Sequence, residues 1–184
     1  RKIIAGLIAL SVIPVSASAN PNLFQKVKNA KINSVIEKTT GYLLRKWTSN
    51  DEITLLPPQV IPIAAGTTVY GVCGSYMSGD DIGGSSYCPR TNTIFLVPEQ
   101  LRAFEEQFGP ATIAYVVAHE FSHAIQTAYE IRLPSPNHEL QADCMAGTMI
   151  DKGSEELGIT REDTLAMSKV AYSIGDPTHG TGEQ

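Results

Sequence analysis

The stretch "PATIAYVVAHEFSHAIQTAYEI", residues 110–131, is apolar around nearly its whole circumference. Gly109 precedes it and Pro110 suits a first helical turn. This predicts a helix that is satisfied only at the centre of a fold, with other elements packed around it. Its polar residues are therefore the informative ones. His119, Glu120 and His123 fall in the middle of the stretch, and ionisable side chains carried into a core are costly unless paired or coordinated.

On a helix, positions i and i+4 lie one turn apart on one face, so His119 and His123 can aim both imidazoles at one ion. Glu120 is turned about 100° from His119, where it can reach a metal-bound water without ligating the metal. Zinc with three protein ligands keeps a position open for that water and lowers its pKa to about 7. His-Glu-x-x-His alone is a short pattern with an innocent reading, two histidines satisfied by hydrogen bonds. The next predicted helix changes the balance. It is capped by Ser135, has Pro136 at its first position and runs through "NHELQADCMAGTMIDK" to Gly153. Its Glu139-x-x-x-Asp143 again places two residues on one face. Glu139 is the expected third ligand, and Asp143 the carboxylate that accepts the N–H of a ligand histidine and fixes its tautomer. His138, next door, is the rival ligand, giving a three-histidine site.

The rest of the chain predicts a mixed α+β domain. Residues 22–47 have mostly helical spacing, interrupted at Gly41. "ITLLPPQVIPI" and "TTVYGVC" are β-branched runs broken by prolines and Gly66, consistent with short strands. "TNTIFLV", residues 91–97, is the best strand, ended by Pro98, and is either an edge to which an extended peptide adds or a plain core strand. "PEQLRAFEEQF" is an amphipathic helix stopping at Gly109. Thr160-x-x-Asp163 resembles a capping box for a last helix that runs to Gly175. Cys73 and Cys88 flank a Gly/Ser-rich loop that a disulfide between them would stabilise by on the order of 3 kcal/mol. Cys144, among small apolar residues, reads as a buried free thiol. Asp80 and Asp81 in that loop read as solvated charge.

The first residues have the pattern of a targeting segment. Arg1 and Lys2 precede an apolar run from Ile3 to Val15, too short to span a bilayer comfortably, and Ala17-Ser18-Ala19 is a cleavage pattern. The expected organisation is a signal peptide over 1–19, an N-terminal helical segment over 20–50 that can serve as a pro-segment, and a main domain over 51–184. The expected location is secreted, periplasmic or in the cell envelope, with no stable membrane insertion after cleavage. A net charge of −5 argues against nucleic acid as a partner.

Four separated blocks, "YCPRTNTIFL", "VVAHEFSHAIQ", "HELQADCMAG" and "SIGDPTHGTGEQ", resemble the bacterial neutral zinc metallopeptidases, over roughly residues 70–184. The resemblance implies a zincin-like fold with a small sheet over the active helix. It also implies His119 and His123 as Zn2+ ligands, Glu120 as catalytic base and Glu139 as third ligand. The family often continues past the last block, and its strand block tends to end with an acidic residue where this chain reads "FLVPEQ". His179 in that last block either donates a hydrogen bond to a developing oxyanion or is an exposed histidine in a Gly-rich tail. The expected activity is zinc-dependent hydrolysis of peptide bonds in a protein or peptide substrate. The contrasting expectation is a non-catalytic, zinc-stabilised binding module.

Overall fold

A computed structural model describes residues 21–63 and 84–184 of the chain, with side chains from residue 31 onward. The segment expected to be a signal peptide, the "TTVYGVC" run, Cys73, Asp80 and Asp81 lie outside the described residues. The described elements are α1 (Pro21–Thr48), β1 (Gln59–Pro62), β2 (Ser86–Cys88), β3 (Thr93–Leu96), α2 (Pro98–Phe108), α3 (Ala111–Ala128), α4 (Asn137–Leu157) and α5 (Arg161–Ser173). The class is mixed α+β, mostly helical with one small sheet.

Helix α3 is the axis of the molecule. Ile113, Val117, Ala118, Phe121 and Ala124 are at most 1% exposed. The other four helices and strands β2 and β3 all touch α3 directly. Its near-continuous apolar surface is the reason: a helix without a polar face is stable only when covered all round. Ile32, Tyr42, Leu43 and Trp47 of α1 enter the same core. Among the described residues no helix is long and apolar enough to cross a membrane.

The sheet has the order β1-β3-β2, with β1 parallel and β2 antiparallel to β3. Strand β3 is thus the central strand, with all four residues buried, and the reading of "TNTIFLV" as an edge is corrected. Both of its hydrogen-bonding sides are taken, one by Gln59–Pro62 and the other by Ser86–Cys88. Pro62 stands on the outer strand β1, where its missing N–H costs no ladder bond. Asn92 turns the chain between β2 and β3 at a φ of 49°. Its side chain accepts from the Tyr87 hydroxyl at 3.0 Å and donates to the Leu56 carbonyl at 2.7 Å.

Several helix boundaries also differ from expectation. Gly41 does not interrupt α1, because the turn around it is held by burial of Thr39, Tyr42 and Leu43. Tertiary packing outweighs a helix penalty of about 1 kcal/mol. Gly153 does not end α4, which continues to Leu157. The glycine is needed there because the Tyr42 ring of α1 lies where a side chain would be, 2.6 Å from an ideal Cβ. Ser135 does not cap α4: its hydroxyl donates instead to the Thr178 carbonyl at 2.5 Å. Cys144 is a free thiol but exposed. The buried stripe of α4 runs through Ala142, Ala146 and Ile150, and a residue two positions from Ala142 faces the opposite way. The capping box of α5 forms as expected, with Asp163 N–H on Thr160 Oγ1 at 3.2 Å and Thr160 N–H on Asp163 Oδ2 at 2.8 Å.

Candidate metal centre

His119 and His123 project from one face of α3, and Glu139 reaches them from the first turn of α4. His123 Nε2 lies 3.1 Å from His119 Nε2 and 3.1 Å from Glu139 Oε2, and His119 Nε2 lies 3.3 Å from the same oxygen. The three ligand atoms form a nearly equilateral triangle. The edge of a tetrahedron with metal–ligand bonds of about 2.0–2.1 Å is about 3.3 Å, so this spacing suits one small tetrahedral ion. The His119–His123–Glu139 group can hold a metal ion. His138 is not part of the triangle: its ring stacks on His123 with centroids 5.2 Å apart.

Around the triangle, other side chains hold the imidazoles. Asp143, one turn along α4 from Glu139, has Oδ1 2.7 Å from His119 Nδ1. A carboxylate there accepts Nδ1–H and leaves the lone pair of Nε2 pointing at the triangle. The same oxygen accepts the Tyr115 hydroxyl at 2.5 Å. His123 Nδ1 lies 2.8 Å from Gln126 Oε1. Tyr115 and Gln126 were not among the residues expected from sequence. Each stands on the helical face of its histidine, Tyr115 four residues before His119 and Gln126 three after His123, and that spacing was the available signal.

The electrostatics follow from three acceptors and one more carboxylate in a small space. Burial opposes a protonated His119, but its bonds to Asp143 and Glu139 outweigh this and raise its pKa to about 10. Burial raises and the two histidine bonds lower the Glu139 carboxyl, which ends well below the usual carboxylate range. Glu120, 6% exposed, behaves differently. Burial pushes it up to about 7, against the pull of His119 and His123 and of a hydrogen bond from the Tyr87 backbone. Strand β2 thus touches the general-base candidate directly.

Glu120 and the triangle line one face of a cavity of about 330 Å³, whose other walls include Ser85, Ser86, Tyr87, Thr127 and His179. His179 lines this cavity with its side chain 46% exposed, as expected of a histidine in a Gly-rich tail. Asp176 Oδ2 faces its Nδ1 at 2.8 Å, and Asp176 Oδ1 accepts its backbone N–H at 2.8 Å. Gly180 follows at a φ of +94°, where a Cβ would lie 2.8 Å from Leu140, so the close approach of the turn to α4 requires glycine there. Cys88, the described half of the expected disulfide, is buried at the end of β2.

In an alignment 193 positions long, the chain is 28% identical to the Escherichia coli K12 protein called "Uncharacterized protein YpfJ", and equally to the protein of that name in Escherichia coli O6:H1. The alignment covers 84% of this chain and 64% of each relative, so the chain spans less than two thirds of the length of these curated relatives. No family model matches the chain. No solved structure matches it.

Proposed function

We propose that the chain is an exported zinc metalloendopeptidase with a zincin-like arrangement, a small sheet laid against a buried catalytic helix. The observation that carries this reading is the triangle of His119, His123 and Glu139 with Glu120 beside it, lining one cavity of about 330 Å³. A closed structural site has four protein ligands and no base next to it. Two imidazole nitrogens and one carboxylate oxygen at tetrahedral spacing suit zinc better than the hard, oxygen-seeking cations.

Bound zinc would supply Lewis acidity toward the scissile carbonyl and make water a competent nucleophile near neutral pH. The chain's own residues do the rest. Glu120, with a pKa raised to about 7, takes a proton from the attacking water and returns it to the departing amine nitrogen. Tyr87 N–H orients the carboxylate for both transfers. His179, with Nδ1 held by Asp176, can donate from Nε2 to the oxyanion when it carries its second proton. The peptide lies along β2, the outer strand of the described sheet, which walls the cavity; β3 is the core strand that the sequence offered as the alternative to an edge.

The test is Glu120→Gln, assayed on casein and a quenched peptide library with and without chelator, beside elemental analysis for zinc. The wild type should carry one zinc per chain and show chelator-sensitive cleavage. The variant should keep the zinc and lose about 10²–10⁴-fold in rate. Zinc bound without any cleavage by the wild type would favour the non-catalytic binding module.

A further inference from the structure

Gln126 is 1% exposed on α3 and spends its whole amide on three partners. Oε1 is 2.8 Å from His123 Nδ1. Nε2 is 2.8 Å from the His138 backbone carbonyl and 3.0 Å from Gln141 Oε1. A backbone carbonyl only accepts, so the end of the amide facing His138 must be the NH2 group. The other end is then the carbonyl oxygen, which also only accepts. His123 must therefore carry a proton on Nδ1, so the neutral ring turns its Nε2 lone pair toward Glu139 and His119. The His138 carbonyl, through Gln126, dictates the tautomer of His123.

The same side chain also sets which residue of α4 enters the site. His138 and Glu139 are neighbours, and a rotation of about 100° at the start of α4 would exchange them. Gln126 ties the His138 main chain and the Gln141 side chain to α3 at once, so the turn between them cannot rotate. Glu139 is then held over the two imidazoles while the His138 ring stacks on His123. We infer that Gln126 is a positioning residue that presets His123 for metal binding and selects Glu139 over His138 as third ligand. This rests on the metal-centre reading above. Glutamate at this position would keep the acceptor for His123 but turn an oxygen toward two oxygens, and methionine fills similar space with neither function.

The experiment compares the full wild-type chain with Gln126→Met and Gln126→Glu. Zinc affinity is measured by competition with a chromophoric chelator. The visible spectrum of the cobalt-substituted protein reports the ligand set, and circular dichroism with urea unfolding of the metal-free proteins reports the fold. The methionine variant should bind zinc about 10–100-fold more weakly and show an altered cobalt spectrum while remaining folded, with the glutamate variant between it and the wild type. A folded methionine variant within about twofold of wild-type affinity, with an unchanged cobalt spectrum, would overturn the inference and leave the metal reading standing. If the methionine variant does not fold, the glutamate variant decides on the same two measurements: wild-type affinity and spectrum there overturn the inference, and a weakened, altered site supports it. A wild-type chain that takes up no zinc sinks the metal reading, and this inference with it.

Discussion

The Tyr115 hydroxyl donates to Asp143 at 2.5 Å, on the oxygen that faces His119 Nδ1 at 2.7 Å. One carboxylate oxygen thus joins a buried tyrosine to a histidine of the candidate metal centre, and the chain Tyr115–Asp143–His119 runs from the core to the site. Burial first, and then the charge of Asp143, raise the tyrosine's pKa, so it stays a donor at all working pH values.

This chain of bonds yields a graded prediction. Asp143→Ala removes the acceptor of His119 Nδ1–H and should weaken zinc binding by about 10–100-fold. Tyr115→Phe leaves that acceptor in place and removes only its clamp, so the loss should be smaller, about tenfold at most. Zinc competition titrations on both variants measure the order. A Tyr115→Phe loss exceeding that of Asp143→Ala would show that the tyrosine acts by another route.

Protons and metal compete for the same lone pairs, and the direction follows from His119. In the metal-free fold its pKa is raised to about 10, above the unfolded value near 6.5. The imidazolium therefore stabilises the metal-free fold fully below about pH 6.5, and that contribution is lost as pH rises toward about 10. Zinc needs the neutral ring, so binding near neutral pH must expel the proton, and affinity should increase with pH. Titrations between about pH 6 and about pH 8 should show roughly tenfold tighter binding per unit for each proton displaced. Calorimetry in buffers of different ionisation enthalpy counts those protons directly, and a count of zero would contradict the geometry.

The residues that converge here were legible in the sequence to different degrees. His119, His123, Glu139 and Asp143 are placed by helix periodicity alone, because spacing along a helix is placement around it. The choice of Glu139 over His138 was readable only as a preference, since it depends on the rotation of α4 that Gln126 sets across the α3–α4 contact. The role of β2 was hidden for another reason. "TIFL" reads as apolar and β-branched whether it has one neighbour strand or two, so periodicity does not say which strand is the edge. Cys144 was misjudged because composition around it is apolar, while the face it occupies is decided by Ala142, Ala146 and Ile150.

Two glycines of α4 make opposite predictions from the same substitution. Gly147 has nothing within 4 Å of an added Cβ, so Gly147→Ala should gain helix propensity and stabilise the protein by about 0.5–1 kcal/mol. At Gly153 the added methyl meets the Tyr42 ring at 2.6 Å. Relief requires moving a tyrosine that is 3% exposed and bonded to the Met149 carbonyl. Gly153→Ala should destabilise by about 1–3 kcal/mol despite the same propensity gain. Urea unfolding midpoints should move in opposite directions.

Removal of α1 tests whether residues 20–50 can serve as a pro-segment. Ile32, Tyr42, Leu43 and Trp47 are each at most 5% exposed and share one core with α3. Lys38 Nζ caps the end of α4 by donating to the Leu157 carbonyl at 2.9 Å, and Arg45 pairs with Glu156. Burying side chains of this kind stabilises by about 1.5–3 kcal/mol each, so deleting them forfeits on the order of 5–10 kcal/mol. That matches the whole stability of an ordinary domain, about 5–15 kcal/mol. It would also uncover α3, the helix that carries His119 and His123. A chain starting near residue 51 should therefore lack a cooperative urea transition and bind hydrophobic dyes. Cooperative unfolding together with retained zinc affinity would mean that the helix is dispensable and that the segment can be cut away without loss of the site.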